Sequence, residues 1–164
     1  MRGVDAVRQA LQSTQHLLTW FLGDLSDADL LVRPVPGANH VAWQMGHLIQ
    51  SERGLVLAQL PDARYPDLPP GFADKHAMEC NKKDAATDFC SKAEYVEQFT
   101  RTRQATIAAV EALSDADLDR PTRGQMAKFA PTLGAVLLLV SNHALMHGGQ
   151  FSVVRRKLGK PILF

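Results

Sequence analysis

The chain has 164 residues, of which 46% are hydrophobic and 21% charged, and this size and composition predict a single domain over residues 1–164. Eighteen Lys and Arg against 17 Asp and Glu leave a formal charge of +1. Since binding to a phosphate backbone needs clustered cations, we expect no nucleic-acid partner. Ala and Leu supply 42 residues whereas the β-branched Val and Ile supply 15, a balance that favours an all-α fold.

The chain also lacks the patterns of membrane and secreted proteins. Its longest apolar run, residues 133–140, has eight residues, whereas a membrane-spanning helix needs about 20. The N-terminal segment carries charges within a helical pattern, unlike a secretory signal. Cys80 and Cys90 match no common zinc or redox spacing and are too few for a disulfide framework. We therefore expect no membrane partner and a cytoplasmic location.

The first part of the chain predicts two helices. One spans about residues 3–23 and ends near Gly23, because apolar residues recur there at helical spacing. These are Val4, Val7, Leu11, Leu18, Phe21 and Leu22. The second spans about residues 40–60, with Asn39 as the side chain that caps its first turn and Pro61 as the residue that blocks its continuation.

A long connection follows the second helix. Four prolines within residues 61–71 exclude a helix there. The passage of roughly thirty residues to Ser91 is long for a helical bundle, and such segments are typically lids, crossovers or mobile loops. Ser91 and Glu94 then form the capping-box pattern that begins a third helix, which ends near residue 113.

The fourth predicted helix, about residues 133–158, begins after the capping residue Thr132 and ends before Gly159 and Pro161. Together the elements predict an all-α four-helix bundle with a long connection between helices two and three. The hexapeptide Leu-Ser-Asp-Ala-Asp-Leu occurs at residues 25–30 and again at residues 113–118. The repeat indicates either two related helical hairpins or a turn sequence that caps itself well.

Two histidines interrupt the apolar seam of the fourth helix. The seam consists of Leu133, Val136, Val140, His143, His147, Gln150, Val154 and Leu158. A buried polar group without a partner costs roughly 1–3 kcal/mol, so these side chains need something to bind. Histidines at positions i and i+4 lie on one helical face, where their rings can converge on one metal ion. Ordinary hydrogen bonding in the core is the alternative interpretation.

A third ligand is best sought in the second helix. His47 lies well inside it, whereas we expect His40 at its frayed first position, His76 in the long connection and His16 within the first helix beside the apolar stripe. His47 shares a helical stripe with Trp43 and with small residues that allow close approach of another helix. A partly exposed, non-ligating His47 is the alternative.

Two stretches of the sequence carry a resemblance. They are Trp43-Gln44-Met45-Gly46-His47-Leu48 and His143-Ala144-Leu145-Met146-His147-Gly148-Gly149-Gln150. In their order and placement they resemble the DinB/YfiT-like family, four-helix bundles with a three-histidine metal site, and the likeness covers essentially the whole chain. The resemblance implies that His47, His143 and His147 bind one divalent metal, zinc or nickel before iron or manganese, and that helix four lies beside helix two. It also implies a homodimer.

The resemblance further implies chemistry on a small-molecule substrate. Three imidazoles leave a coordination position open, and family members activate low-molecular-weight thiols of the glutathione, bacillithiol or mycothiol type. We therefore expect a metal-dependent thiol S-transferase or isomerase. A hydrolase that uses metal-bound water and a non-enzymatic metal-binding or stress-associated bundle are the alternatives.

No residue of the sequence is a convincing general base. Glu52 falls on the apolar stripe of helix two, where an ion pair with an arginine of another helix is the expected role. Gln150 is expected to orient a ligand or to pack near the site, and Gly148, where the family commonly has a larger residue, to leave space there. In the long connection, the residues expected at the entrance of the site are Asp62, Arg64, Tyr65 and His76.

Overall fold

The computed structural model describes residues 1–163 and is all-helical over that range. Its four long helices are α1 (Gly3–Leu22), α2 (Val41–Gln59), α3 (Lys92–Glu111) and α4 (Leu133–Lys157). Each lies within two residues of its predicted bounds, because the apolar spacing and the capping residues that define a helix are local features of the sequence. The all-α four-helix prediction is confirmed.

The ends of the helices follow the predicted signals, with one exception. Ser91 and Glu94 form a complete capping box before α3, Thr132 accepts a hydrogen bond from the backbone of Ala135 at 3.2 Å, and Gly159 follows α4 with a positive φ of 67°. The exception is the residue that caps the first turn of α2, for which the prediction was wrong.

His40, rather than Asn39, caps α2. Its Nδ1 accepts a hydrogen bond from the backbone N–H of Trp43 at 3.1 Å, and its Nε2 bonds the carbonyl oxygen of Lys83 at 2.9 Å. His40 is therefore fully buried instead of lying at a frayed end. Asn39 takes part through its backbone carbonyl, which accepts a hydrogen bond from Gln44.

The four helices are not arranged in sequence order. α1 packs mainly on α3 and α4, and α2 packs mainly on the same two helices. Consecutive helices α1 and α2 are thus diagonal across the bundle, as are α3 and α4. The predicted contact between α2 and the fourth helix is confirmed, and it brings together the two helices that carry the candidate ligands.

The connection between α2 and α3 is irregular, as its prolines predict. Past Gly71, which has a positive φ of 72°, it forms a four-residue helix, Phe72–Lys75, and two short 3₁₀ segments, Met78–Lys82 and Ala86–Asp88. The apolar side chain of Phe72 and the sulfur of Cys80 are buried against the core. The connection is therefore a packed layer on the bundle rather than a detached loop.

Both copies of the repeated hexapeptide form the same reciprocal hydrogen bonds. In each, the serine hydroxyl accepts from the aspartate backbone three residues on, and the aspartate carboxylate accepts from the serine backbone. The interpretation as a self-capping turn accounts for both copies. No helix in residues 1–163 is both long and apolar enough to cross a membrane.

Candidate metal centre

Two histidines from α4 form the first part of the site. His143 and His147 are one helical turn apart, with His147 buried and His143 half-buried. Their Nε2 atoms lie 3.1 Å from each other and their ring centroids 4.8 Å apart. The imidazoles thus point towards one place between α2 and α4, as the spacing of four residues predicts.

His47 of α2 completes the group. Its ring centroid lies 5.1 Å from that of His143 and 5.5 Å from that of His147. One ring nitrogen from each of the three histidines can be chosen so that all lie within 4.8 Å of one another. Within residues 1–163, this is the one group of three or more potential ligands from His, Cys, Asp and Glu that comes so close. The structure therefore brings together the three residues that the sequence selected.

Trp43 supports the ring of His47. The two rings are stacked, with centroids 5.0 Å apart and an interplanar angle of 8°. The indole N–H of Trp43 donates to the backbone carbonyl of Ala77 at 3.1 Å, so the tryptophan is anchored on the connection between α2 and α3. A stacked and anchored neighbour restricts the rotation of the imidazole.

Gln44 holds the ring of His147 from the other side. Its side-chain oxygen lies 2.6 Å from His147 Nδ1, and its amide nitrogen donates to the carbonyl oxygen of Asn39 at 2.7 Å. Gln44 belongs to the family-like stretch Trp43-Gln44-Met45-Gly46-His47-Leu48, but nothing in the sequence predicts a role for its side chain. The partners are 103 residues apart, and no local pattern reveals such a contact.

Burial keeps the three histidines neutral. It lowers the pKa of His147 to about 4, with additional repulsion from His143 and His47. Burial likewise lowers the pKa of His47, and burial together with His47 lowers the pKa of His143. A neutral imidazole is the form that binds a metal, so at neutral pH no proton has to leave before binding.

Within residues 1–163, the hydrogen bonds and ring contacts of this cluster involve no carboxylate. The groups that contact its three rings through hydrogen bonds or ring stacking are Trp43, Gln44 and the hydroxyl of Ser51, 3.5 Å from His47 Nε2. Glu52 faces the other side of α2 and pairs with Arg103 of α3, whose Nη2 lies 2.8 Å from Oε2. The expectation that Glu52 forms an ion pair with an arginine of another helix is confirmed.

Two residues of the fourth helix that were expected at or near the site lie elsewhere. Gln150 is exposed, although its spacing from His147 and Val154 places it in the seam. Gly148 faces α1, where an added methyl group would meet Leu17 and Leu18 at 3.3 Å. Its missing side chain thus permits close packing of α1 and α4 and does not enlarge the site.

The candidate entrance residues of the long connection are distributed between surface and interior. Asp62 and Arg64 are exposed, whereas the Tyr65 hydroxyl lies 2.8 Å from Thr106 Oγ1 of α3. His76 is buried, with Nε2 2.6 Å from the Tyr95 hydroxyl and Nδ1 2.7 Å from the carbonyl oxygen of Phe72. The side chain of Tyr65 therefore bonds α3, and that of His76 bonds α3 and the connection itself.

Comparison with known proteins identifies the family. The model of the DinB superfamily matches residues 10–151. The chain belongs to the DinB superfamily. No curated protein matches the sequence. Both histidine-containing stretches lie within the residues that match the family model.

Two solved structures share the DinB-type fold. A conserved protein from Enterococcus faecalis has a TM-score of 0.71 and 16% identity, over 98% of this chain and 99% of its own. YfiT from Bacillus subtilis has a TM-score of 0.69 and 17% identity, over 96% of this chain and 89% of its own. YfiT is described as "a probable metal-dependent hydrolase with an unusual four-helix bundle topology". At these identities the likeness establishes the fold.

Proposed function

We propose that this protein is a divalent-metal-dependent enzyme that acts on a small molecule, with His47, His143 and His147 as the metal ligands. The observation that carries the proposal is the distance of 3.1 Å between the Nε2 atoms of His143 and His147. Two nitrogens that are each about 2.0–2.1 Å from one zinc ion lie about 3.3 Å apart at the tetrahedral angle. The two rings are thus close to the geometry that a shared ion requires.

The ligand set suits zinc or nickel, with iron as a further candidate, because imidazole is a good ligand for these metals; manganese, the remaining candidate, fits less well because it prefers oxygen ligands. Three neutral ligands do not offset the positive charge of the ion. A bound ion would therefore stabilise an additional anionic ligand such as a thiolate. The chain itself provides the half-buried place between α2 and α4, the rings that converge there and the two side chains that hold them, Trp43 and Gln44.

Thiol activation is the reaction class that the surroundings of the cluster favour. Hydrolysis commonly uses a carboxylate or histidine as general base, and the contacts of the three rings with Trp43, Gln44 and Ser51 include neither. We therefore propose S-transfer or isomerisation with a low-molecular-weight thiol. Metal-dependent hydrolysis is the second candidate, favoured by the description of YfiT.

Metal analysis of the purified protein tests the ligand assignment. We expect one equivalent of a divalent metal per chain in the wild type, and a loss of most of it in His47→Ala. His16→Ala is the matched control, because His16 is an exposed histidine of α1. Metal content unchanged in His47→Ala would show that the three-histidine assignment is wrong.

Activity assays separate the reaction classes. The metal-loaded protein is incubated with an electrophilic aryl halide and glutathione, bacillithiol or mycothiol, and in parallel with an activated ester. Thiol consumption that needs the metal supports S-transfer. Ester cleavage without any thiol supports hydrolysis, and a metal-loaded protein inactive in a broad panel of both supports the non-enzymatic alternative.

We further propose that the protein acts as a single-domain homodimer in the cytoplasm, without nucleic acid. Its cysteines are free, as is common in a reducing compartment. The outer side of α4 exposes large apolar residues available to a second copy, namely Leu138, Leu145, Met146 and Val153. Sedimentation equilibrium with Leu145→Lys tests the dimer, which that charge would weaken.

A further inference from the structure

Gln44 is the most enclosed polar side chain next to the histidine cluster. It lies in the first turn of α2 and is fully buried. Its carboxamide bridges two elements, since one end bonds the backbone of Asn39 before α2 and the other end bonds His147 of α4. A buried amide with both ends engaged has one fixed orientation.

The orientation of this amide follows from the two contacts. The carbonyl oxygen of Asn39 can only accept a hydrogen bond, so the group 2.7 Å from it must be the amide nitrogen of Gln44. Rotating the amide by half a turn would place two oxygens against each other. The oxygen of Gln44 is therefore the atom that lies 2.6 Å from His147 Nδ1.

An amide oxygen has no hydrogen to donate, so His147 Nδ1 must carry the proton of that hydrogen bond. In the neutral imidazole, the other nitrogen then has a free lone pair. That nitrogen is Nε2, the atom of His147 that lies 3.1 Å from His143 Nε2 inside the cluster. Gln44 thus determines which nitrogen of His147 faces the other ligands with a lone pair.

We propose that Gln44 is a positioning residue that holds His147 in the Nδ1–H tautomer, so that Nε2 is available as a metal ligand. The inference rests on the proposed function in assuming that the cluster binds a metal. It goes beyond that function by assigning the tautomer to one side chain of this chain. Among the three histidines, His147 is the one whose second ring nitrogen meets an amide oxygen.

The first test needs no substitution. Long-range ¹H–¹⁵N spectra of the histidine-labelled full chain, freed of metal with a chelator, report which ring nitrogen carries the proton. We expect the Nδ1–H tautomer for His147 and an Nε2–H for His143, which then donates in the contact between the two rings. The Nε2–H tautomer for His147 in the wild type would overturn the proposal directly.

The second test uses three variants. Gln44→Met keeps the approximate volume but removes the acceptor, Gln44→Glu keeps an acceptor and, when protonated, a donor for the Asn39 carbonyl oxygen, and Gln59→Met is the matched control. Gln59 is also a buried glutamine of α2, but it bonds the backbone of Arg123 at the far end of the helix. We expect Gln44→Met to lose the pure Nδ1–H tautomer of His147, and Gln44→Glu and Gln59→Met to retain it.

Zn²⁺ affinity, measured by competition with a chromogenic chelator, gives the functional readout. Removal of an outer hydrogen-bond partner of a metal-binding histidine commonly weakens affinity about 10- to 100-fold, and we expect this for Gln44→Met. Gln44→Glu should restore the affinity to within a few-fold. A folded Gln44→Met with wild-type tautomer or wild-type affinity would overturn the proposal.

The two readouts separate failure of this proposal from failure of the proposed function. If the wild type binds no divalent metal but His147 changes tautomer in Gln44→Met, the metal function is wrong while the control of the tautomer by Gln44 stands. If the wild type binds Zn²⁺ through the three histidines and the tautomer is indifferent to Gln44, the positioning role alone is wrong.

Discussion

Two faces of α2 carry polar groups into the bundle. The hydrogen-bonding capacity of these groups is satisfied to very different degrees on the two faces. Towards α1 and α3, the carboxylate of Glu52 accepts hydrogen bonds from Arg103 at 2.8–3.1 Å and from the Thr106 hydroxyl at 2.6 Å. Arg103 also donates to the carbonyl oxygen of Leu11 at 2.8 Å and to Thr14 Oγ1 at 2.7 Å. This network is closed by its own members.

Towards α4, the histidine cluster is open. One proton can satisfy the contact between His143 and His147, but in the described part of the chain the ring of His47 meets only the Ser51 hydroxyl at 3.5 Å, beyond a normal hydrogen-bond distance. His47 and His143 are only half-buried, so a bound group can reach their rings. A closed polar network is therefore a structural element of the core, whereas an incompletely paired cluster of good ligands is a place for a bound group.

Breaking the closed network should have the largest effect on stability. Arg103→Met leaves the Glu52 carboxylate buried without its partner, which typically costs about 3–5 kcal/mol of unfolding free energy. The measurement is urea denaturation. Arg101→Met is the matched control, since Arg101 forms an exposed pair with Glu97 at 3.6 Å on the same helix. A loss for Arg103→Met under about 1 kcal/mol, the range of exposed pairs, would show that the network is not structural.

Filling the open cluster should stabilise the protein. A metal that binds the folded chain alone adds about 2.7 kcal/mol at a free concentration 100-fold above its Kd. In a thermal-shift experiment, we expect Zn²⁺ to raise the Tm of both the wild type and the control His16→Ala. A chelator should reverse the effect. His143→Ala should show no increase. An equal increase in His143→Ala would mean that the metal binds elsewhere.

The third face of α2 packs tightly against the long connection. A single added methyl group should disrupt this packing. A side chain at Gly46 would overlap the ring of His76, which cannot move freely because both its nitrogens are bonded. We expect Gly46→Ala to destabilise by about 1–3 kcal/mol, as overpacking does.

Gly54→Ala provides the control for that substitution in the same helix. Apart from its chain neighbours and the backbone of its own helix, no atom of residues 1–163 lies within 4 Å of the methyl group it would add, and alanine is favoured over glycine in a helix by about 1 kcal/mol. Gly54→Ala should therefore be neutral or stabilising in the same denaturation experiment. Equal effects of the two substitutions would indicate that contact with His76 is not the cause.

The smallest expected effect is the pH dependence due to His76. Burial lowers its pKa from the ordinary value, so the unfolded chain binds its proton more readily than the folded chain. Stability contributed by neutral His76 is therefore present above about pH 6.5 and is lost as the pH falls towards the lowered pKa.

The Tm of chelator-treated protein should accordingly fall between pH 7.5 and pH 5.5. The fall in Tm should be smaller for His76→Gln. His16→Gln, which removes an exposed histidine, should follow the wild-type profile. A His76→Gln profile as steep as that of the wild type would assign the pH dependence to other histidines whose pKa burial lowers, namely His40 and the three of the cluster.

Much of the fold could be predicted because its signals are local. The capping box of Ser91 and Glu94 and the break at Gly159 depend on neighbours within a few residues. The cap of α2 was predicted one residue too early, at Asn39. His40 caps with an imidazole nitrogen, and its other nitrogen bonds Lys83, which lies 43 residues away. A cap that depends on a distant partner has no local pattern.

At the candidate site, too, local features of the sequence were predictable and contacts between distant residues were not. The spacing of His143 and His147 predicts convergence of their rings, because the geometry of a helix fixes it. The choice of His47 rested on its place in α2 and on the family resemblance, and the side-chain role of Gln44 had no signal at all. Gln150 was placed in the seam by spacing, but its burial depends on which helices surround α4.

The sequence by itself thus determined four helices, their ends apart from the cap of α2, and the histidine pair of α4, since hydrogen bonds and side-chain periodicity within a helix involve only nearby residues. The tertiary structure decided that α2 lies beside α4, that Glu52 pairs with Arg103 and that Gln44 bonds His147. These contacts join residues between 51 and 103 positions apart. They depend on how whole helices pack, which is a property of the complete chain.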